Sequence, residues 1–320
     1  MKQKFFIIVC IFLMSAAAFA QSLSDLKIAD FGFTLFVVTT EWAGSSVHGY
    51  IIVADNGEAI IVDPVDHLTM VENTYHLSDP NTGQLKLFIS NAELLNTEMY
   101  EYDDYSGLVT KKTTNEKYRI DNYYEPIHDT LNIFDQIIDT YNMKVKYIIL
   151  THGHLDHFAA LNYLAQKTGA TVAMNVNDVR DIDGRMLTDA DLQNNIRSYP
   201  KDSNKIKGLN TPVDMYIAEG DTIIVGDIDF QVMLLPGHSK GSIALYRDKG
   251  VVPVVFSGDV LLRLNVGRTN FKDGTGSNEE LLNSLVRLKS LSENTVVYPG
   301  HGTNTTIGFE KMFNRYLNID

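Results

Sequence analysis

The chain has 320 residues, 44% hydrophobic and 21% charged, which is ordinary globular composition with enough apolar residues for a sizeable core. Its formal net charge of −13 repels phosphate backbones and argues against nucleic acid as substrate or partner. Cys10 is the only cysteine, so no disulfide can form within the chain.

Lys2 and Lys4 give a basic start, residues 5–14 a short apolar run, and Ala18-Phe19-Ala20 a small-residue cleavage site. Together they predict a secretory signal peptide over 1–20, cut after Ala20, and a periplasmic or secreted protein. The apolar run is too short to span a bilayer, and Gln21 rather than a cysteine follows the cut, so no membrane anchor is expected after cleavage. Cleavage removes two lysines and no acid, which takes the net charge from −13 to −15 and leaves no cysteine nucleophile. Residues 21–320 are expected to form one domain, with an insertion at about 66–124.

In chain order, residues 31–40, 48–53 and 59–62 read as strands, the last two joined by the hairpin signal Asp55-Asn56-Gly57. The third ends at Asp63, a turn acid or a residue that holds a metal-bound histidine in place. Residues 66–124 mix turn signals, a strand at 85–90 and a tyrosine-rich acidic segment with Tyr100, Tyr102, Tyr105, Tyr118, Tyr123 and Tyr124. They read as a small β-containing excursion with solvated tyrosines, or as a lid facing the site. Residues 127–141 carry Ile127, Leu131, Phe134, Ile137 and Ile138 at helical spacing. A strand at 146–150, a helix at 158–167 and a strand at 169–174 then alternate as in an α/β sheet. Residues 177–207 are polar and read as helical in pieces. Strands follow at 222–225, 228–235, 242–247, 254–256 and 295–298. An amphipathic helix at 279–291 places Leu281, Leu282, Leu285 and Leu288 on one side.

The stretch THGHLDHF at 151–158 puts His152, His154, Asp156 and His157 on a strand-to-helix loop. Residues two apart in an extended loop point the same way, so His152 and His154 can grip one ion together. Asp156 and His157, at the start of the helix, face elsewhere and suit a second ion. Imidazole and carboxylate are ordinary ligands for zinc, and also for iron or manganese. A lone histidine is more often a satisfied polar residue, but three histidines and an aspartate within six residues are hard to read that way. Later strands end in Gly237-His238, Gly258-Asp259 and Gly300-His301. Each pair alone is a weak signal, because turns use these residues anyway. Together they deliver ligand-type groups from several strand tips.

These motifs, with Phe256-Ser257-Gly258-Asp259, Val266-Gly267-Arg268-Thr269-Asn270-Phe271 and Tyr298-Pro299-Gly300-His301-Gly302, resemble the metallo-β-lactamase superfamily, and within it the glyoxalase II-like branch. The resemblance implies an α/β fold, a four-layer αββα sandwich. It implies that His152, His154 and His238 bind a first divalent ion, that Asp156, His157 and His301 bind a second, and that Asp259 bridges them. Asp156 and Asp259 are then the catalytic carboxylates, and zinc is the expected metal, with iron or manganese as the alternatives. The reaction expected is hydrolysis of a small-molecule thioester, ester or lactone. Only residues 302–320 follow His301, too few for the helical domain that binds glutathione in full-length glyoxalase II enzymes. Lys240 and Arg268, beside ligand turns, could meet an anionic substrate or be solvated charges. Weighed beside the hydrolase are a β-lactamase, which the compartment suits but which Asp259 opposes, since true metallo-β-lactamases resemble one another in lacking that bridging aspartate, and a mononuclear iron persulfide dioxygenase. A nuclease is opposed by the net charge, and a non-enzymatic scaffold by the seven filled ligand positions. The oligomeric state is open.

Overall fold

The computed structural model describes residues 27–42, 44–81, 85–94, 96–103, 108–126, 131–178, 213–270 and 276–318. The expected signal peptide, Tyr105, Ile127 and nearly all of the expected helical pieces at 177–207 lie outside them.

Two sheets pack face to face. The first has the order β1-β2-β3-β4-β10-β11-β12, made of β1 (Lys27–Asp30), β2 (Thr34–Trp42), β3 (Ser45–Val53), β4 (Glu58–Val62), β10 (Lys144–Ile149), β11 (Thr171–Met174) and β12 (Met215–Tyr216). The second has the order β13-β14-β15-β16-β19-β20, made of β13 (Thr222–Val225), β14 (Ile228–Leu234), β15 (Ile243–Arg247), β16 (Val254–Gly258), β19 (Val296–Pro299) and β20 (Thr305–Thr306). A short ribbon of β17 (Leu261–Leu262) and β18 (Asn265–Val266) follows β16.

Side-chain alternation explains the layers. In β4, Ala59 and Ile61 enter one core while Ile60 and Val62 enter another; in β16, Val254 and Phe256 face inward and Val255 outward. Both faces are therefore covered, which is why these strands read as unbroken apolar runs. Each fully buried Ile or Val contributes about 1.5–3 kcal/mol over leaving it exposed. Helices α2 (Leu131–Thr140) and α3 (Leu161–Thr168) cover the first sheet through Phe134, Ile137, Leu161 and Leu164. Helices α4 (Asn278–Lys289) and α5 (Ile307–Phe313) cover the second through Leu281, Leu285, Leu288 and Ile307. The result is the four-layer αββα sandwich.

Several boundaries differ from the sequence reading. The first long strand starts at Thr34 rather than 31, because Gly32 turns at φ 81° and a further strand, β1, precedes it. Asp156 and His157 do not open α3; they lie on a separate 3-10 turn, Leu155–His157. Leu282 is not part of the buried stripe of α4 and is 39% exposed. That helix is capped by Ser277, whose side chain accepts from Glu280 N, and carries acids in its first turn and Arg287 and Lys289 in its last.

Between β4 and α2 stands a five-stranded antiparallel sheet, order β6-β5-β9-β8-β7, of β5 (Leu68–Ser78), β6 (Leu85–Ser90), β7 (Tyr100–Asp103), β8 (Leu108–Lys111) and β9 (Glu116–Pro126), with a single helical turn α1 (Asn91–Leu94) after β6. It has its own small core of Leu77, Ile89, Tyr100, Val109 and Tyr118. Tyr100 and Tyr118 are thus buried rather than solvated. Burial raises the Tyr118 hydroxyl to about 12, and that hydroxyl donates to Glu116 Oε2 at 2.8 Å.

Candidate metal centre

The site forms at the C-terminal ends of the parallel strands, where open α/β sheets place ligands. Strand β4 delivers Asp63, β10 delivers the 152–157 loop, β16 delivers Asp259 and β19 delivers His301, while His238 stands on the β14–β15 connection. Residues drawn from both sheets thus meet at one edge of the sandwich.

Two triads result. Ligand atoms of His152, His154 and His238 lie within 4.8 Å of one another, and so do those of Asp156, His157 and His301. In the first triad His238 Nε2 is 3.2 Å from His152 Nε2 and 2.9 Å from His154 Nδ1. In the second, His301 Nε2 is 3.3 Å from Asp156 Oδ2 and 3.4 Å from His157 Nε2. Asp259 stands between them, with Oδ2 3.5 Å from His238 Nε2 and 3.2 Å from His301 Nε2. Its Oδ1 is buried and makes no hydrogen bond among the described residues. A β-carbon at Gly300 would overlap that oxygen, so only glycine lets β19 come this close.

The outer ring nitrogens decide which way the inner ones face. His238 Nδ1 lies 2.8 Å from Arg268 O, His301 Nδ1 2.8 Å from Ser46 O, and His157 Nδ1 2.9 Å from Asp63 Oδ2. Carbonyls and carboxylates only accept, so each outer nitrogen donates. Thr151 Oγ1 donates to Asp63 Oδ2 at 2.7 Å, which leaves it to accept from His152 Nδ1 at 3.0 Å. Four Nε2 atoms, those of His152, His157, His238 and His301, are left pointing inward. Tetrahedral ligands at about 2.0–2.1 Å from one ion sit roughly 3.3 Å apart, close to the separations seen in each triad.

Electrostatics separates the two. Burial drives His152 well below its ordinary value, takes His154 to about 3 and lowers His238, so the first triad is neutral. Burial opposes charge on His157 and His301 too, but nearby carboxylates outweigh it and raise them to about 9 and about 10. Burial likewise works against ionised Asp156 and Asp259, yet His157 and His301 pull both below the usual carboxylate range.

Asp63 is 1% exposed and also accepts from Thr151 N at 2.7 Å. It is held at φ 51°, a left-handed backbone rare outside glycine and tolerated best by Asn and Asp. Lys240 and Arg268 have exposed side chains, and it is the backbone carbonyl of Arg268, not its charge, that meets the site. Sequence reasoning missed His48. This buried histidine accepts from Thr39 Oγ1 at 2.9 Å through Nδ1 and donates from Nε2 to Gly302 O at 2.5 Å; burial lowers it to about 4. Its backbone N–H also donates to Gly300 O at 2.8 Å, and Tyr50 donates to Pro299 O at 2.5 Å, so β3 grips the turn that carries His301.

The sequence pattern of the metallo-beta-lactamase superfamily matches residues 142–301, half of the chain. Hydroxyacylglutathione hydrolase GloC of Haemophilus influenzae is 32% identical over 188 residues, covering 57% of this chain and 81% of that one. Two solved structures share the fold: the BLEG-1 B3 metallo-beta-lactamase (TM-score 0.56, 20% identity, 89% of this chain and 100% of that one) and ETHE1 from Myxococcus xanthus (TM-score 0.53, 22% identity, 89% and 86%). The chain belongs to the metallo-beta-lactamase superfamily. Within it, the chain falls in the glyoxalase II-like branch and is a metal-dependent hydrolase. The inward ring nitrogens of the histidines, the Asp259 Oδ1 without a hydrogen bond among the described residues and the spacing within each triad all fit bound metal ions.

Proposed function

We propose that the chain is an exported dinuclear hydrolase of a small thioester, ester or lactone. The observation that supports two ions rather than one is the position of Asp259, whose Oδ2 faces a histidine of each triad. In this reading His152, His154 and His238 hold one ion, Asp156, His157 and His301 the other, and Asp259 both. Zinc suits a histidine-carboxylate set, with iron or manganese as alternatives. Two such ions supply Lewis acidity and bring the pKa of a water toward neutrality.

The residues of the chain do the rest. Outer N–H donation from His152, His157, His238 and His301 fixes those four rings so that their inner nitrogens cannot turn away. Asp63 locks His157 and Thr151 together, and through Thr151 it steadies His152. Burial of Asp156 and Asp259 keeps bulk water from screening their charges. Water then adds to the acyl carbon, the C–S or C–O bond breaks, and the leaving sulfur or oxygen takes up the proton that the water gives up; no serine or cysteine nucleophile is required. The name of the Haemophilus influenzae relative supports a thioester first. The exposed side chains of Lys240 and Arg268, beside the ligand turns in sequence, are the candidates for meeting an anionic end of the substrate.

The purified protein should be assayed on thioesters, lactones and β-lactams, with oxygen uptake on a persulfide in parallel. Acyl hydrolysis without oxygen uptake is expected. Oxygen consumption, or turnover of β-lactams alone, would contradict the reading. Export, supported by the composition of residues 1–20, predicts a periplasmic or secreted protein beginning at Gln21; a full-length cytoplasmic product would contradict it.

A further inference from the structure

Asp178 lies outside every ligand set, on a 3-10 turn, Val176–Asp178, just after β11. It is 2% exposed, and three donors converge on its carboxylate. Oδ2 accepts from Gly153 N at 2.9 Å and from Ser239 Oγ at 2.5 Å, and Oδ1 accepts from Gly241 N at 2.7 Å. Gly153 separates His152 from His154. Ser239 and Gly241 follow His238. One buried carboxylate therefore ties the two loops that supply the first triad, one from each sheet.

The chemistry of the link is directional. A carboxylate only accepts, so all three partners must donate. Ser239 gives its proton to Asp178, so Ser242 Oγ must donate to Ser239 Oγ at 2.6 Å, while it accepts from Ser239 N at 3.1 Å. Hydrogen bonds to an ionised acceptor are roughly twice as strong as neutral ones. The approach is also sterically exclusive. A β-carbon on Gly153 would lie 2.6 Å from Asp178 O, and one on Gly241 2.6 Å from Asp178 N. Backbone contact this tight fixes both loops relative to the turn, and through it the 2.9 Å and 3.2 Å separations of the histidine nitrogens.

We propose that Asp178 is the positioning residue of the first triad, clamping the His152-Gly153-His154 loop to the His238-Ser239 loop so that the three imidazoles converge on one ion. The proposal rests on the reading of those histidines as a metal triad. It touches neither substrate nor reacting atoms, and it leaves the second triad to Asp63 and β3.

The test is Asp178→Asn, which keeps the shape but turns an amide N–H toward a donor. Metal retention by the full-length protein is read by competition with a chelator, and site geometry by the visible spectrum of the cobalt-loaded protein. The expected result is one ion per chain lost at about 10–100-fold lower chelator concentration than in wild type, with an altered cobalt spectrum and circular dichroism unchanged. Excess metal should restore kcat, which a general loss of fold would not allow. A folded Asp178→Asn protein that holds metal as tightly as wild type would overturn the proposal. Should that variant not fold, Ser239→Ala decides on the same readouts: a smaller loosening of one ion supports the clamp, and wild-type retention overturns it. Wild-type protein that binds no metal would instead overturn the triad reading itself.

Discussion

The two triads lie side by side at one edge of the sandwich, yet they are built on opposite principles. The first is three neutral imidazoles, two of them buried and held by the Thr151 hydroxyl and the Arg268 carbonyl. The second mixes a carboxylate with two histidines that keep their protons until something replaces them. A cation meets a ready neutral cradle on one side and must displace protons on the other. Asp259, set between them, faces a histidine of each.

The largest expected effect comes from breaking what is shared. Asp259→Ala should cut kcat/KM by more than the 10–100-fold that loss of an outer partner costs, and should loosen both ions. His238→Ala and His301→Ala should each remove one ion, His238→Ala from the neutral side and His301→Ala from the charged side, as read by metal content per chain.

Asp63→Asn comes next. It places an amide where the Thr151 N–H, the Thr151 hydroxyl and His157 all donate, so metal affinity should fall about 10–100-fold with a stability loss on the order of 1–3 kcal/mol. His48→Ala should act more weakly and only through His301, loosening the second ion while the first stays bound.

The comparison can be sharpened by pH without any substitution. His157 and His301 are raised to about 9 and about 10, so at pH 7 both carry protons that a metal ion must displace. Metal uptake by the second triad should therefore release about two protons and tighten as pH rises, whereas the first triad should release almost none above pH 6.5. In the metal-free protein the sign is fixed by the same shifts. The stability contributed by these two protons is fully present below the ordinary value of 6.5 and is lost as pH rises through about 9 to 10. A weakly buffered metal titration with a pH indicator checks the first statement, and melting of metal-free protein across that range checks the second.

Much of this arrangement was legible in the sequence, for a physical reason. Strands buried on both faces must be apolar without interruption, so β4 and β16 announced themselves, while β10 and β14 show polar residues alternating with buried apolar ones. Metal-type side chains at their tips had no competing structural explanation as a set. What escaped was long-range. His48 acts on Gly302, 254 residues away, and only its role as a strand residue was visible from its neighbours. Asp178 fell at the start of a polar stretch and meets partners 25, 61 and 63 residues distant. Tyr100 and Tyr118 were misread as solvated because a small sheet with one buried face leaves acidic neighbours on the other. The helix expected to begin at Phe158 starts at Leu161, because the loop first spends a 3-10 turn aiming Asp156 and His157 into the site.

The most direct test of the account is metal content, measured by elemental analysis on the purified protein and on Asp259→Ala side by side. Two divalent ions per chain in the wild type, with fewer in the variant, is the predicted result. A single ion per chain, unchanged when Asp259 is removed, would contradict a shared dinuclear centre.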